Sequence, residues 1–232
     1  MNIITTTGTI TKITELSPTA REIEIKLARP LQFIPGSFVN IFMNIDGVKT
    51  RRAYSISSTD QEQNIISVAI RLTINGKMTP LFWNDAIIGS DIELMGPLGI
   101  NTADKMQSKK KFLVGFGIGS GVIKSLLDHF SRDTKTEEIF VLLGHRSEQE
   151  NLYKDDFEKM AKASDKIKID YIFSKPENTV SKKGYVQDHI SEYDFSNSDI
   201  YLCGQEKACN ELLEKINSAK PTNIKTFVEA FH

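Results

Sequence analysis

The chain has 232 residues, 40% hydrophobic and 25% charged, which excludes a disordered or fibrous protein and suits one large domain or two of ordinary size. Lysine plus arginine (29) nearly balances aspartate plus glutamate (30), so bulk charge gives no reason to expect nucleic acid as a partner. Two cysteines, Cys203 and Cys209, are too few for a four-cysteine zinc or iron–sulfur site within the chain, and no metal is expected.

The first residues, Met1 to Ile10, form a threonine-rich alternating stretch rather than a leader, and no segment approaches the roughly 20 apolar residues that cross a bilayer. The expectation is a cytoplasmic protein without membrane insertion. From there to about Gly99, Gly8 to Leu16, Arg21 to Leu27, Phe38 to Met43 and Ile65 to Leu72 alternate or carry β-branched residues and predict strands. Pro35-Gly36, Asp46-Gly47 and Asn75-Gly76 supply the turns that a hairpin-built barrel needs. Thr79 predicts an N-cap, with Pro80 at the first helical position and one or two helical turns over Leu81 to Ala86.

Lys105 to Lys111 reads as a polar, basic linker, after which the rhythm changes. The apolar runs Phe112 to Phe116, Ile139 to Leu143, Ile167 to Phe173, Ile200 to Cys203 and Ile224 to Glu229 are mostly separated by helical patterns. That order predicts a parallel sheet covered on both faces. The expected fold class is therefore two-domain: an antiparallel β-barrel over residues 1–104, then an α/β parallel-sheet domain over 105–232. Ligands on such a sheet bind at the carboxyl ends of its strands, so the residues just after each strand matter most.

Three short constellations carry chemistry. Gly115 to Gly121 lies between a predicted strand and a predicted helix, where glycines let the backbone approach a pyrophosphate and amides meet its charge. A plain tight turn would use the same glycines. The spacing G-x-G-x-x-G is absent, because Ser120 and Val122 stand where its third glycine would fall, and the next strand ends in Gly144-His145-Arg146 without a ribose-binding carboxylate. Arg52-Ala53-Tyr54-Ser55 offers a guanidinium for phosphate, a ring for a flat cofactor and a hydroxyl for a ring nitrogen. Four residues on an amphipathic strand would look the same. Gly76-Lys77-Met78-Thr79 opens the short helix and presents amides and a hydroxyl to a second phosphate, or simply a cap.

The order of these motifs is more specific than any one of them. Arg-x-Tyr-Ser, then Gly-x-x-Thr, then Gly-Pro-Leu-Gly at 96–99, then a glycine-rich turn opening an α/β region, resembles the ferredoxin–NADP reductase family of flavoproteins. Arg146, Ser174-Lys175, Gly184-Tyr185-Val186, Cys203-Gly204-Gln205 and Glu229-Ala230-Phe231 fall in that family's further signature positions, so the resemblance spans nearly the whole chain.

The resemblance implies a barrel that binds FAD, with FMN as the less favoured alternative, and an α/β domain that receives NADPH or NADH. Arg52 would bind the flavin phosphate, Tyr54 would lie against the isoalloxazine, and Ser55 would face N5, with Ala53 between them. Ile70 and Arg71 would meet the flavin through backbone. Gly76, Lys77, Met78 and Thr79 would close over the pyrophosphate. Gly117, Ile118, Gly119, Ser120 and Gly121 would cradle the nicotinamide nucleotide, although Ile118 lacks the family's threonine hydroxyl and Val122 replaces its proline.

Cys203 and Glu229 would flank the nicotinamide, Gly204 and Gln205 would follow it, and Phe231 would cover the flavin. With Ser55, Cys203 and Glu229 would act by orientation and charge placement, because the flavin itself takes the hydride. Ser174 and Lys175 would read a 2′-phosphate, which favours NADPH, and Arg146 would join the cofactor-binding residues. The implied function is a flavin-dependent oxidoreductase that passes electrons to a separate ferredoxin or flavodoxin, met by Lys49, Arg51, Lys77 and Lys109 to Lys111. Reduction of free flavin or small acceptors, and service as the electron-transfer subunit of an oxygenase or dehydrogenase, are the alternatives. A non-redox nucleotide-binding module would be colourless.

Overall fold

The computed structural model describes residues 2–178 and 180–231; Met1, at the head of the threonine-rich stretch, Thr179 and His232 lie outside them. The chain divides into two compact units, Met1–Ala103 and Asp104–His232.

The first unit holds six strands: β1 Ile4–Ser17, β2 Ala20–Leu27, β3 Phe38–Ile45, β4 Val48–Ser55, β5 Ile65–Arg71 and β6 Asp91–Leu98. They form one antiparallel sheet in the order β4-β3-β6-β1-β2-β5. The sheet curls, and an isolated antiparallel bridge, Ile56↔Val68, joins the residue after β4 to β5, the opposite edge. This is how the expected barrel is realised. Asp46 (φ 52°) and Gly47 (φ 77°) both take the left-handed conformation that a two-residue hairpin needs, which sets the Ile45↔Val48 register of β3 and β4. Strand alternation then places the core: Ile23 opposite Val68 and Ile25 opposite Ile66 are all fully buried, each worth about 1.5–3 kcal/mol.

The expected helix after Thr79 is two short 3-10 turns, Thr79–Trp83 and Asp85–Ile87. Thr79 does not cap the first turn: Met78 holds the cap position, and the Thr79 hydroxyl accepts from the Thr73 amide (2.9 Å) and donates to the Thr73 carbonyl (3.2 Å). It closes its own loop instead.

The second unit holds β7 Lys110–Phe116, β8 Glu138–His145, β9 Ile167–Phe173, the two-residue β10 Lys182–Lys183, β11 Ser198–Gln205 and β12 Lys225–Phe231. All pairs are parallel, in the order β10-β9-β8-β7-β11-β12. Helix α1, Ser120–Arg132, follows β7; α2, Lys154–Lys162, precedes β9; α3, Glu206–Ser218, follows β11. Phe112, Val114, Ile200 and Leu202 turn to a core shared with Cys209, Leu212 and Ile216 of α3. The alternate residues, among them Gly115, Tyr201 and Cys203, turn to the other face, where a Cβ on Gly115 would lie 3.0 Å from Ile123 of α1.

The basic run before β7 is not a linker as far as Lys111. The strand begins at Lys110, and Lys111 is buried, its ammonium 3.1 Å from the equally buried Asp199 carboxylate. The Met106 carbonyl (2.9 Å) and the Ser108 carbonyl accept its remaining protons, which is how a lysine is tolerated in a core. Burial drags its pKa down and the bonds to Asp199 oppose that.

Candidate functional site

In the first unit the Arg52–Ser55 stretch ends β4, an edge strand whose residues 51–53 are exposed. Arg52 pairs with Ile41 and Tyr54 with Val39, both fully buried, so Arg52 and Tyr54 share the core-side face while Ala53 and Ser55 share the other. Arg52 reaches solvent, its guanidinium donating to the Arg51 carbonyl at 2.7 Å. Tyr54 is half-buried and meets Phe82 edge-on, ring centroids 6.4 Å apart. Phe82 belongs to the 3-10 turn that Gly76 to Thr79 opens, so these two motifs sit in one neighbourhood.

The Tyr54 hydroxyl is shielded and has no hydrogen-bond partner among the described residues. Burial pushes its pKa up to about 12, against the pull of the Arg52 charge, so it remains a proton donor. Ile70 and Met78 give their side chains to the core, leaving only backbone for a ligand. The Arg71 guanidinium donates to the Thr19 hydroxyl at 2.6 Å. Lys77 is exposed. Sequence reasoning missed Arg21, which stacks on Trp83 (5.2 Å) and donates to the Phe82 carbonyl (3.0 Å) and to Asp85 (3.1 Å), fastening both 3-10 turns. Nothing in the local sequence around Arg21 signals this.

In the second unit the strand order reverses at β7: the chain runs outward through β8 and β9, then returns to place β11 on the other side. A ligand crevice is expected outside the strand ends at such a reversal. The glycine-rich turn meets the end of β11 there. A Cβ on Gly119 would fall 2.2 Å from the Cys203 carbonyl oxygen, and one on Gly204 would fall 2.6 Å from the Phe116 Cβ. Gly117 (φ 54°) and Gly204 (φ 148°) also have backbones that side chains resist. Ser120 is buried, its hydroxyl 3.4 Å from His145 Nε2, so it turns inward and offers its backbone rather than its side chain. Gly121 lies buried in the first turn of α1, and Ile118 is half-buried.

Cys203 pairs with Glu229 across β11 and β12, and Gln205 with Phe231. Cys203 is completely buried; burial, then the charge of Glu229, holds its thiol protonated well above the usual range. Glu229 is half-buried and accepts a 2.7 Å hydrogen bond from the Tyr201 hydroxyl. Tyr201 was missed by the motif reading, although strand alternation puts it on the Cys203 face. At the ends of β8 and β9 the Ser174 amide donates to the His145 carbonyl (3.0 Å) and Lys175 to that of Arg146 (2.7 Å). The exposed Arg146 and Lys175 are therefore neighbours.

Among the surface cations expected to meet a partner, Lys111 is excluded by its burial. Lys49 pairs with Glu93 (2.8 Å), Lys109 with Glu137 (2.6 Å) and Lys110 with Asp194 (3.5 Å); Arg51 and Lys77 are exposed. Among the described residues no helix is long and apolar enough to cross a membrane.

Comparison with known proteins agrees with this geometry. Residues 7–102 match the oxidoreductase FAD-binding domain family and residues 113–213 the oxidoreductase NAD-binding domain family. The molecule is thus a flavin- and nicotinamide-binding oxidoreductase. The chain is 28% identical over 180 residues to ferredoxin–NADP reductase B of Sorangium cellulosum, covering 76% of this chain and 73% of that one. It is also 28% identical over 207 residues to the phenol hydroxylase P5 protein of Acinetobacter pittii, covering 85% of this chain but only 57% of that relative. Among solved structures, ferredoxin–NADP+ reductase from Plasmodium falciparum with 2′P-AMP superposes with a TM-score of 0.79 at 24% identity, covering 97% of this chain and 95% of that one. The chain belongs to the ferredoxin–NADP reductase-like family of flavoprotein oxidoreductases.

The residues present fit both cofactors. The orphaned Tyr54 hydroxyl beside an exposed arginine on an edge strand suits the polar ribityl chain and phosphate of a flavin. In the second unit the glycine turn opens α1 at the strand where the sheet order reverses, so the amides of a helix start stand where a parallel sheet leaves room for a nucleotide.

Proposed function

We propose that this chain oxidises NADPH, or NADH, and passes the electrons through FAD to a separate acceptor, either ferredoxin or flavodoxin. The observation that carries this reading is the meeting of Gly117 to Gly121 with Cys203 to Gln205 where the strand order reverses at β7. When bound, the flavin takes a hydride from the nicotinamide and releases its two electrons singly or together. The chain's own residues bind and orient.

Arg52 supplies the charge that holds the flavin phosphate, and Tyr54 presents a ring face and a donor hydroxyl. Ser55 lies on the opposite face of β4 and offers a hydroxyl to the flavin ring. The backbones of Ile70, Arg71 and Gly76 to Thr79 complete the flavin site. In the second unit the turn amides receive the nucleotide, and Cys203 and Glu229 place its nicotinamide by contact and charge. Cys203 works as a small neutral surface, not a nucleophile, since its buried thiol stays protonated. Arg146 and Lys175 select a 2′-phosphate by charge, Lys175 without the fork an arginine would bring, and Ser174 does so by hydrogen bonding.

The test begins with the visible spectrum of the purified protein. A flavin band bleached by NADPH is expected, and a colourless protein refutes the reading. Arg52→Ala should lower flavin occupancy, and full occupancy would overturn the phosphate assignment. A clear rate preference for NADH would end the 2′-phosphate reading. A second reading, the electron-transfer component of an oxygenase system, is favoured by the similarity to the phenol hydroxylase P5 protein. Reduction rates with ferredoxin, flavodoxin and free flavin separate the two: no reduction of ferredoxin or flavodoxin would favour this second reading.

A further inference from the structure

From the hydrogen bond between Tyr201 and Glu229 we infer that Tyr201 is a positioning residue, fixing the Glu229 carboxylate beside Cys203 at the carboxyl end of β11. This rests on the reading that the nicotinamide is received at that end of the sheet. Glu229 sits on β12, the last strand of the sheet, paired on one side only and two residues from the strand's end. A half-buried glutamate has three side-chain torsions, and each bond to its carboxylate narrows them.

Tyr201 supplies one such bond. It is fully buried, and its ring lies nearly parallel to Phe227, centroids 6.5 Å apart and planes 14° apart, so packing fixes where the hydroxyl points. Register places Tyr201 opposite Phe227 and Cys203 opposite Glu229. The phenol therefore reaches diagonally, up the sheet, to Glu229 Oε2 at 2.7 Å. Tyr201, Cys203, Phe227 and Glu229 all share the α1 face. The donor is permanent, because burial and the neighbouring carboxylate keep the phenol protonated far above any working pH. A charge-assisted bond of this kind is among the strong ones, and it holds one carboxylate oxygen of the residue that pairs with Cys203.

The decisive variant is Tyr201→Phe, which keeps the ring and its stacking and deletes only the hydroxyl. With NADPH as donor and ferricyanide as a one-electron acceptor, kcat should fall roughly tenfold to a hundredfold while KM for NADPH stays within about twofold. On a Glu229→Gln background the same change should cost less than about twofold, since the carboxylate it positions is gone. Infrared titration of flavin-free protein supplies a readout independent of turnover: the Glu229 carboxylate should titrate at higher pH in Tyr201→Phe, having lost a donor to its charged form.

Wild-type kcat in Tyr201→Phe, an undiminished loss on the Glu229→Gln background, or an unmoved titration would each overturn the inference. Failure of the functional reading looks different. The wild-type protein would then oxidise neither NADPH nor NADH, while the infrared comparison would still decide whether Tyr201 holds Glu229.

Discussion

Gly119→Ala gives the sharpest quantitative test of the nucleotide end of the sheet. The added Cβ would lie 2.2 Å from the Cys203 carbonyl oxygen, 2.6 Å from the Cys203 carbonyl carbon and 3.1 Å from the Gly204 amide nitrogen. All three are backbone atoms of β11, which is held on both sides by the ladders to β7 and β12. Ordinary contact starts near 3.4 Å, so β11 or the glycine turn must move by roughly 1 Å. The Gly119 φ of −59° suits alanine, which returns up to about 1 kcal/mol through the unfolded state. Against that, overpacking costs up to about 3 kcal/mol, and a rigid backbone target puts the cost at the upper end, about 2 kcal/mol net.

A unit of about 130 residues loses roughly 0.27 kcal/mol of stability per degree near its midpoint, so its melting temperature should fall by about 7 °C. Calorimetry of the full chain at matched flavin content measures this. Gly47→Ala is the control. No atom would approach its Cβ within 4 Å, and its φ of 77° lies in a hairpin of the first unit, so it should leave the second unit's transition unmoved. If Gly119→Ala melts within about 2 °C of the parent, the close approach of the turn to β11 is wrong.

Lys111→Ala should destabilise the second unit by about 3 kcal/mol in chemical denaturation, because it takes the counter-charge from the buried Asp199 carboxylate and leaves it the Ser108 amide (2.6 Å) and hydroxyl (3.1 Å) as donors. Replacing both partners with apolar residues should cost much less, and equal losses would refute the pairing argument. His189 has Nδ1 2.7 Å from a Glu192 carboxylate oxygen and Nε2 3.0 Å from the Lys183 carbonyl, both acceptors, so the protonated ring satisfies both as a donor and the neutral ring satisfies one. The Glu192 bond raises its pKa. Its stabilising effect is complete below the unfolded value near 6.5 and is lost as pH rises through the raised folded value. Protection factors for amide exchange at residues 183–185, in which the intrinsic base-catalysed rise is divided out, should therefore fall above that value, and His189→Gln should abolish that fall. Finally, the buried and protonated Cys203 and Cys209 should resist iodoacetamide at neutral pH until the protein unfolds; rapid labelling of either would contradict their burial.

Strands were legible where one physical pattern dominated. In β2 and β5 apolar residues alternate with polar or small ones, and in β7 and β11 burial on both faces gives short apolar runs, so the sequence places all four within a few residues. β6 alternates only briefly, with Ile92 and Leu94 buried, before Gly96 and Pro97 interrupt it, and its order in the sheet comes from long-range pairing with β1 and β3. Thr79 and Lys111 were misread for one reason. Local sequence shows a capping hydroxyl and a basic run, while the partners that claim them, the Thr73 backbone and Asp199, are set by loop closure and tertiary packing. Tyr201 went unnoticed because its role depends on a neighbouring strand far along the chain.

The glycine-rich turn shows why a motif's composition is weaker than its position. In the ordinary dinucleotide fingerprint the third glycine permits close helix–strand packing. Here Ser120 and Val122 stand near that place, and the close approach is made one residue earlier, by Gly119 against the Cys203 carbonyl. Packing alone thus explains Gly119, and the twisted backbone alone explains Gly117. Glycine content therefore cannot separate a nucleotide cradle from a tight turn. The distinction lies in topology: this turn opens at the strand where the sheet order reverses, beside the end of β11, and that is where a parallel sheet leaves room for a ligand. A tight turn placed between β8 and β9 would have the same glycines and no such opening. Because the order of β7, β8 and β11 is set by the whole second unit, the nucleotide reading depends on the sheet and not on the turn's spelling.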